Sequence, residues 1–340
     1  MEQRTEIGAI GEFGLINHIK NIFPIQNKSI EIGIGDDAAV LINNADFQTV
    51  ISTELFIEGI HFDLSYFPLR HLGYKIAVAG ISDIAAMNAI PKQILINIGL
   101  SNRFSVEAVT DFYHGVKSAC DDFSVDLIGG DTTASRTGLV VSITAIGQVE
   151  KVKITKRSGA KINDIICVTG DIGASFLGLQ LLEREKAVFQ ANPNAQPELD
   201  DFDYIVGRQL KPTARMDIVH QLAELNIVPT SMIDLSDGLA SDLLHICAQS
   251  GVGANIFEEK LPIDDKTFLA ATSLNLSPIT AALNGGEDFE LLFTISQADF
   301  EKIKPISDVF PIGFITEDKE ANLVLKSGQA VPLTAQGWQK

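Results

Sequence analysis

The sequence predicts an α/β (α+β) protein of two domains, and three observations carry that reading. The chain has 340 residues, which fits two domains better than one. Apolar spacing alternates along it between the helical period and the strand period. Most of the predicted strands run into a glycine turn or a helix start that carries a carboxylate.

Residues 7–22 show apolar positions near 3.6 spacing and predict a short helix that Pro24 ends. GIGDDAAVLI then opens a strand, and Thr49–Thr53 (TVIST) reads as another with a polar tip. Residues 68–89 predict a strong helix with Leu72, Ile76, Ala79, Gly80 and Asp83 near one face. QILINIGL is a strand, 105–122 an amphipathic helix, Val125–Ile128 a strand ending in GGDTT, and Leu139–Val149 a further strand. The first domain is expected to span 1–150 and the second 151–340. In the second, KRSGAKINDIICVTGDIGAS reads as turn, strand, glycine turn and helix. Residues 185–203, rich in acidic groups and holding Pro193 and Pro197, read as a mobile or irregular connection. Residues 217–226 are helical. MIDLSDGLASDLLHICAQSG is a strand, a turn and a helix stopped by Gly251, and NGGEDFELLFTI is a glycine turn feeding a strand.

Composition narrows the function. The net charge is −18, so a nucleic acid or an anionic membrane is not an expected partner, because both favour basic surfaces. A phosphorylated small molecule is compatible if divalent cations stand between the anions. No apolar run reaches the ~18 residues of a membrane span. The three cysteines, Cys120, Cys167 and Cys247, lack CxxC spacing and suit a reducing, cytoplasmic setting; Cys120 is expected to be partly exposed.

Acidic and hydroxyl groups cluster at Asp36–Asp37, Ser52–Thr53–Glu54, Asp83, Asp131, and Asp234–Ser236–Asp237. Each alone has a plain structural explanation as an Asx turn, an N-cap or an exposed charge. Asp83 is the exception. It sits in the apolar run IAVAGISDIAAM with no basic residue a turn away, and a buried lone carboxylate needs a partner. Oxygen ligands of this kind suit Mg²⁺, and the scarcity of nearby His and Cys disfavours zinc. No P-loop, protein-kinase or Rossmann signature is present. Arg157, and Lys211 with Arg215 in KPTARMD, are either phosphate contacts or solvated turn charges. His61 in EGIHFD reads on physics alone as a hydrogen-bonded core histidine. Trp338, the only tryptophan, either docks the tail or stacks on a flat ring.

The ordered series GIGDDAAV, STELFIEGIHF, GYKIAVAGISDIAAMNAIP, LIGGDTTAS, TKRSGAKINDIICVTGDIG, KPTARMDI, IDLSDGLASDLLHI and NGGEDFELLFT resembles the thiamine-monophosphate kinase family. That family lies within the superfamily of aminoimidazole ribonucleotide synthetase. The resemblance implies that fold, with an N-terminal sheet closing into a barrel across a homodimer. It implies ATP-dependent phosphorylation of thiamine monophosphate to thiamine diphosphate, the last step of that biosynthesis, by direct in-line transfer. It implies several Mg²⁺ ions held by Asp37, Ser52, Thr53, Glu54, Asp83, Asp131, Asp234 and Asp237, with Asp36 contributing. Arg157 and Ser236 would touch ATP, and His61, Glu287 and Trp338 would line the substrate pocket. Glu54 departs from the pattern, since many relatives carry Asp there. Related enzymes fit less well. Selenophosphate synthetase needs an N-terminal Cys, and no cysteine precedes Cys120. The hydrogenase maturation relative needs a C-terminal Cys, and this chain ends GWQK. Aminoimidazole ribonucleotide synthetase would show a Val-Asp-Gly-type turn where STELF stands. A non-catalytic nucleotide-binding module is the alternative from another class.

Overall fold

The computed structural model describes residues 28–43, 46–197 and 199–335, together with Gly14, Ile16, Asn17, Lys20 and Asn21. The helix expected over 7–22 lies largely outside the described residues, and Trp338 wholly so.

Among the described residues the first half builds one six-stranded sheet. Its strands are β1 (Ile30–Ile32), β2 (Ala39–Ile42), β3 (Phe47–Ile57), β4 (Ile90–Leu100), β5 (Asp126–Ala134) and β6 (Val140–Glu150), in the order β1-β2-β3-β6-β4-β5. Only β4 and β5 pair in parallel, joined by the crossover helix α2 (Val106–Phe123). Helix α1 (Leu69–Ala86) links β3 to β4. LIGGDTTA is strand throughout, so GGDTT is not the turn the sequence predicts. The β4 edge pairs with it through Ala134 and holds its glycines extended.

The second half forms a seven-stranded sheet from β7 (Ile165–Thr169), β8 (Ser231–Asp234), β9 (Gly253–Phe257), β10 (Leu291–Ile295), β11 (Val309–Thr316), β12 (Ala321–Val324) and β13 (Ala330–Pro332), in the order β13-β12-β9-β11-β7-β10-β8. Its helices are α3 (Ala174–Ala191), α4 (Asp203–Leu210), α5 (Met216–Glu224), α6 (Leu239–Ser250), α7 (Asp265–Ser273), α8 (Pro278–Asn284) and the short α9 (Phe300–Ile303). Helix α3 corrects the expectation of an irregular segment from 185 onward. EREKAVFQA is mostly good helix formers, and Pro193 and Pro197 both lie beyond the helix end.

Two features of this fold set up the site. Helix α1 is buried on every side from Leu72 to Ala86, not on one face, because it packs on β3, β4, β6 and α2 and also meets β8 and α5 of the second domain. Its small residues permit this. A Cβ on Gly73 would lie 2.0 Å from the Phe112 carbonyl oxygen, and one on Gly115 1.8 Å from that of Arg70, so α1 and α2 cross backbone to backbone. The first sheet, by contrast, has one covered face and one open face. Along β3, Val50, Ser52 and Phe56 are buried under α1, while Thr53 and Leu55 are exposed on the other side.

Candidate functional site

Four chain segments far apart in sequence meet at the end of α1. Ser52 and Glu54 share the covered face of β3. Asp83 stands in the penultimate turn of α1, Asp234 closes β8, and Asp37 lies in the turn between β1 and β2. Carboxylate oxygens of Asp37, Asp83 and Asp234 lie within 4.8 Å of one another. All three residues are buried.

Neighbouring hydroxyls hold this cluster in place. Ser52 Oγ donates to Asp83 Oδ2, and Ser82 Oγ donates to Asp234 Oδ2 at 2.7 Å. Consecutive residues of α1 thus reach both domains. Arg157, in the loop between β6 and β7, donates from Nη2 to Asp37 Oδ1 at 2.6 Å. The Asp36 carboxylate accepts the backbone N–H of Asp37 at 3.0 Å and that of Arg157 at 3.3 Å.

One guanidinium does not balance three buried carboxylates. Burial drives the Asp83 carboxyl well above its ordinary value, and Asp234, Glu54 and Asp37 add to the rise. Burial, then Asp37, lifts Asp234 to about 7. Burial also raises Asp37, against the pull of Arg157. Asp37 Oδ2 is buried and has no hydrogen-bond partner. A buried oxygen without a donor, beside two more carboxylates, is what a hard divalent cation would satisfy, so the residues present fit Mg²⁺.

The remaining expected residues are spread more widely. Glu54 is half-buried and close enough to perturb Asp83 and Asp234. Ser236 and Asp237 are exposed just beyond β8. Thr53 turns to the open face, where its Oγ1 donates to the Ile143 carbonyl at 3.0 Å. Asp131 is exposed on edge strand β5, in register with exposed Asn97, and accepts only its neighbour's N–H, from Thr132 at 2.9 Å. Three strand spacings, about 14 Å, separate β5 from β3 within one sheet. Within a single chain, Thr53 and Asp131 therefore do not join the buried cluster through their side chains. His61 is exposed, not a core residue, and its Nδ1 accepts the Ile57 N–H at 3.0 Å, which puts the ring proton on Nε2. Glu287 has φ +63° and pairs with Lys75 Nζ at 2.8 Å.

Other basic candidates are engaged elsewhere. Arg215 pairs with Glu290 at 2.6 Å and with Asp217 and Asp308, and Lys211 lies over the Tyr74 ring. A cavity of about 510 Å³ in the second domain is lined by Arg208 and Arg215, which are paired with Glu290, Asp217 and Asp308; of the basic candidates it holds Arg215, and it holds none of the expected metal, ATP or substrate residues. All three cysteines are buried and unpaired, Cys120 included, since it lies on the buried face of α2.

Sequence reasoning missed two carboxylate neighbours and one cation. Ser82 was hidden beside the more conspicuous Asp83. Asp242 is buried in α6, where it accepts the Gly238 N–H at 3.2 Å, and burial followed by Asp237 and Asp234 pushes its carboxyl far up. Lys75 was legible as a lone lysine in the apolar run GYKIAVAG, the same signal that exposed Asp83.

Comparison with known proteins adds to this geometry. The model of the AIR synthase related protein N-terminal domain matches residues 35–149, and that of its C-terminal domain matches 161–325. Thiamine-monophosphate kinase of Bacillus subtilis is 35% identical over 331 residues, 94% of this chain and 95% of that protein. The chain belongs to the thiamine-monophosphate kinase family. The Escherichia coli K12 member is 34% identical over 339 residues, 97% of this chain and 98% of its own. The solved structure of AaThiL complexed with AMPPCP and TMP superposes with a TM-score of 0.83 at 30% identity, covering 98% of each chain. The fold is accordingly the two-domain one of this family. No helix among the described residues is long and apolar enough to cross a membrane.

Proposed function

We infer that this protein transfers the γ-phosphoryl group of ATP to thiamine monophosphate, giving thiamine diphosphate and ADP. The observation that carries the reading is the convergence of Asp37, Asp83 and Asp234 within 4.8 Å, in a chain aligned over nearly its whole length with thiamine-monophosphate kinases. A similar protein in complex with AMPPCP and TMP supports ATP and thiamine monophosphate as the two substrates.

Mg²⁺ is proposed as the cofactor, held by Asp37, Asp83 and Asp234 with Ser52, Glu54 and Asp237 around them. When bound, it supplies the positive charge that lets two phosphate groups approach each other. The chain's own residues then position. Ser52 and Ser82 fix which oxygens of Asp83 and Asp234 are committed to hydrogen bonds and which remain for the cation. Arg157, tied to Asp37 here, sits where it can share that bond with a phosphate oxygen, and exposed Ser236 offers a hydroxyl at the same rim. The acceptor phosphate is already an anion near neutral pH, so direct in-line transfer needs no strong general base. His61 and Glu287 are proposed to face the substrate's organic part, with Trp338.

Domain limits of 1–150 and 151–340 are proposed on the separation of the two sheets. A homodimer is also proposed. The open face of the first sheet exposes Leu55 at 52%, and the sheet's edge strand β5 exposes Ile128 at 57%, apolar groups suited to a second copy. If Asp131 serves the same centre as Glu54, it comes from that copy, since a cation–oxygen bond of about 2.1 Å cannot span three strands. Free buried thiols support a cytoplasmic setting.

The test is an assay of the purified chain with ATP, Mg²⁺ and thiamine monophosphate, following thiamine diphosphate by chromatography. Product that disappears with EDTA is expected. Undiminished turnover in EDTA, or no product at any Mg²⁺ concentration, would overturn the reading.

A further inference from the structure

We propose that Lys75 is a positioning residue that holds the Glu287 carboxylate against the cationic ring of the substrate, and so sets the preference for a charged acceptor. The proposal rests on the kinase reading above and deepens it.

Lys75 is the one basic residue in the buried stretch Leu72–Ala86 of α1, two turns from Asp83, with its side chain 3% exposed. Burying an ammonium there is costly unless the charge is matched, so its partners matter. Nζ donates to Glu287 Oε2 at 2.8 Å and to the Gln209 carbonyl at 3.1 Å, and it lies 5.5 Å from the centre of the buried Phe67 ring. Gln209 Nε2 reaches the same Oε2 at 3.4 Å, and its Oε1 is held by Ser175 Oγ at 2.6 Å. Both bonds to the carboxylate use Oε2, so neither engages Oε1, and the Glu287 side chain is 30% exposed.

The backbone of Glu287 is fixed as firmly as its side chain. Its φ of +63° is a left-handed conformation that a glutamate adopts only when its surroundings impose it. Its N–H donates to the Ser236 carbonyl at 2.9 Å, tying it to the turn that follows Asp234. A Cβ on the preceding Gly286 would meet that same carbonyl at 2.3 Å. Lys75 thus connects the first domain to a carboxylate that the second domain presents one loop away from the acidic cluster. A carboxylate held by one oxygen, with the other unclaimed, is suited to a delocalised organic cation such as a thiazolium. Without Lys75, Gln209 alone would orient it.

The test compares Lys75→Met, Lys75→Arg and Glu287→Gln with the wild type. The acceptors are thiamine monophosphate and the phosphate ester of hydroxyethylmethylthiazole, which keeps the phosphate and lacks the ring charge. Lys75→Met is expected to raise KM for thiamine monophosphate at least tenfold and to change kcat less than threefold. KM for ATP and kcat/KM for the uncharged acceptor are expected to stay within threefold. Lys75→Arg should recover most of the loss. Glu287→Gln should lose the same preference, and Lys75→Met/Glu287→Gln should be no worse than either single variant; that pair, which leaves no unmatched charge, also serves if Lys75→Met does not fold. A uniform drop in kcat for both acceptors, or an unchanged KM ratio between them, would overturn the proposal. A wild type that phosphorylates neither acceptor would overturn the kinase reading instead.

Discussion

Replacing Asp234 with asparagine should change how the protein's stability responds to pH and to Mg²⁺. Asp234 is 2% exposed, and its carboxyl rises from 3.8 to about 7 in the folded chain. Between those values the folded state holds a proton that the unfolded state has released. The unfolded state therefore binds fewer protons, and stability falls as pH rises through that window. The full difference is on the order of 4 kcal/mol at ~1.4 kcal/mol per pKa step. Asp83 and Asp37 shift in the same direction and add to the slope. Magnesium that binds only the folded chain reverses the loss, contributing about 2.7 kcal/mol at a hundred times its dissociation constant. Thermal melts in EDTA at pH 5, 6, 7 and 8 should show a falling Tm. One kcal/mol corresponds to about 1–2 °C in a 340-residue protein. Mg²⁺ should raise Tm more at pH 8 than at pH 5. Asp234→Asn keeps an acceptor for Ser82 Oγ and removes one ionisation, so its Tm in EDTA should fall less steeply and its response to Mg²⁺ should shrink. A wild-type Tm that is flat from pH 5 to 8 in EDTA and indifferent to Mg²⁺ would refute the reasoning.

Two further outcomes follow from the same geometry. Asp83→Asn should cut kcat at least a hundredfold while its Tm in EDTA holds or rises, because a buried charge among like charges has been removed; kinetics and melts on the same preparation check both halves. Neither Asp83→Asn nor Asp131→Asn alone should turn over well, but their equimolar mixture, unfolded and refolded together, should recover about a quarter of wild-type activity if Asp131 acts across a dimer, since half the dimers would be mixed and each would hold one intact site. No recovery in a mixture shown to exchange subunits would place Asp131 in its own chain's chemistry.

The fold class was legible because helix and strand periods alternate cleanly over long stretches of this chain. Where the reading slipped, local chemistry had more than one use. Acidic and basic residues in EREKAVFQA look like loop composition, yet they are strong helix formers, and α3 continues through them. Glycines in LIGGDTT look like a turn, yet pairing along β4 keeps them extended. At the site, the sequence pointed to Asp83 because a carboxylate in an apolar helix must be matched. It could not say by what. The donor is Ser52, 31 positions away, and the carboxylates of Asp37 and Asp234 add a charge that needs a cation; only the burial of α1 between two domains brings them together.

The division of the expected ligands is the deeper consequence. Strand alternation fixes Ser52 and Glu54 on one side of β3 and Thr53 on the other, whatever the loops do. Motif adjacency in STE therefore does not mean adjacency in space. The Thr53 side chain shares the open face with Asp131, while Ser52 and Glu54 share the covered face with Asp83. A single chain thus offers one buried acidic cluster and, on the other side of the sheet, an open face that carries the exposed Thr53 and Asp131. Among the described residues the covered cluster has Arg157 alone paired to it against Asp37, Asp83 and Asp234, a charge balance that favours a bound cation. Asp131 and Thr53, on the opposite face of the sheet, do not share that imbalance. The burial that raises the carboxyls of Asp37, Asp83 and Asp234 is what a cation bound among them would relieve.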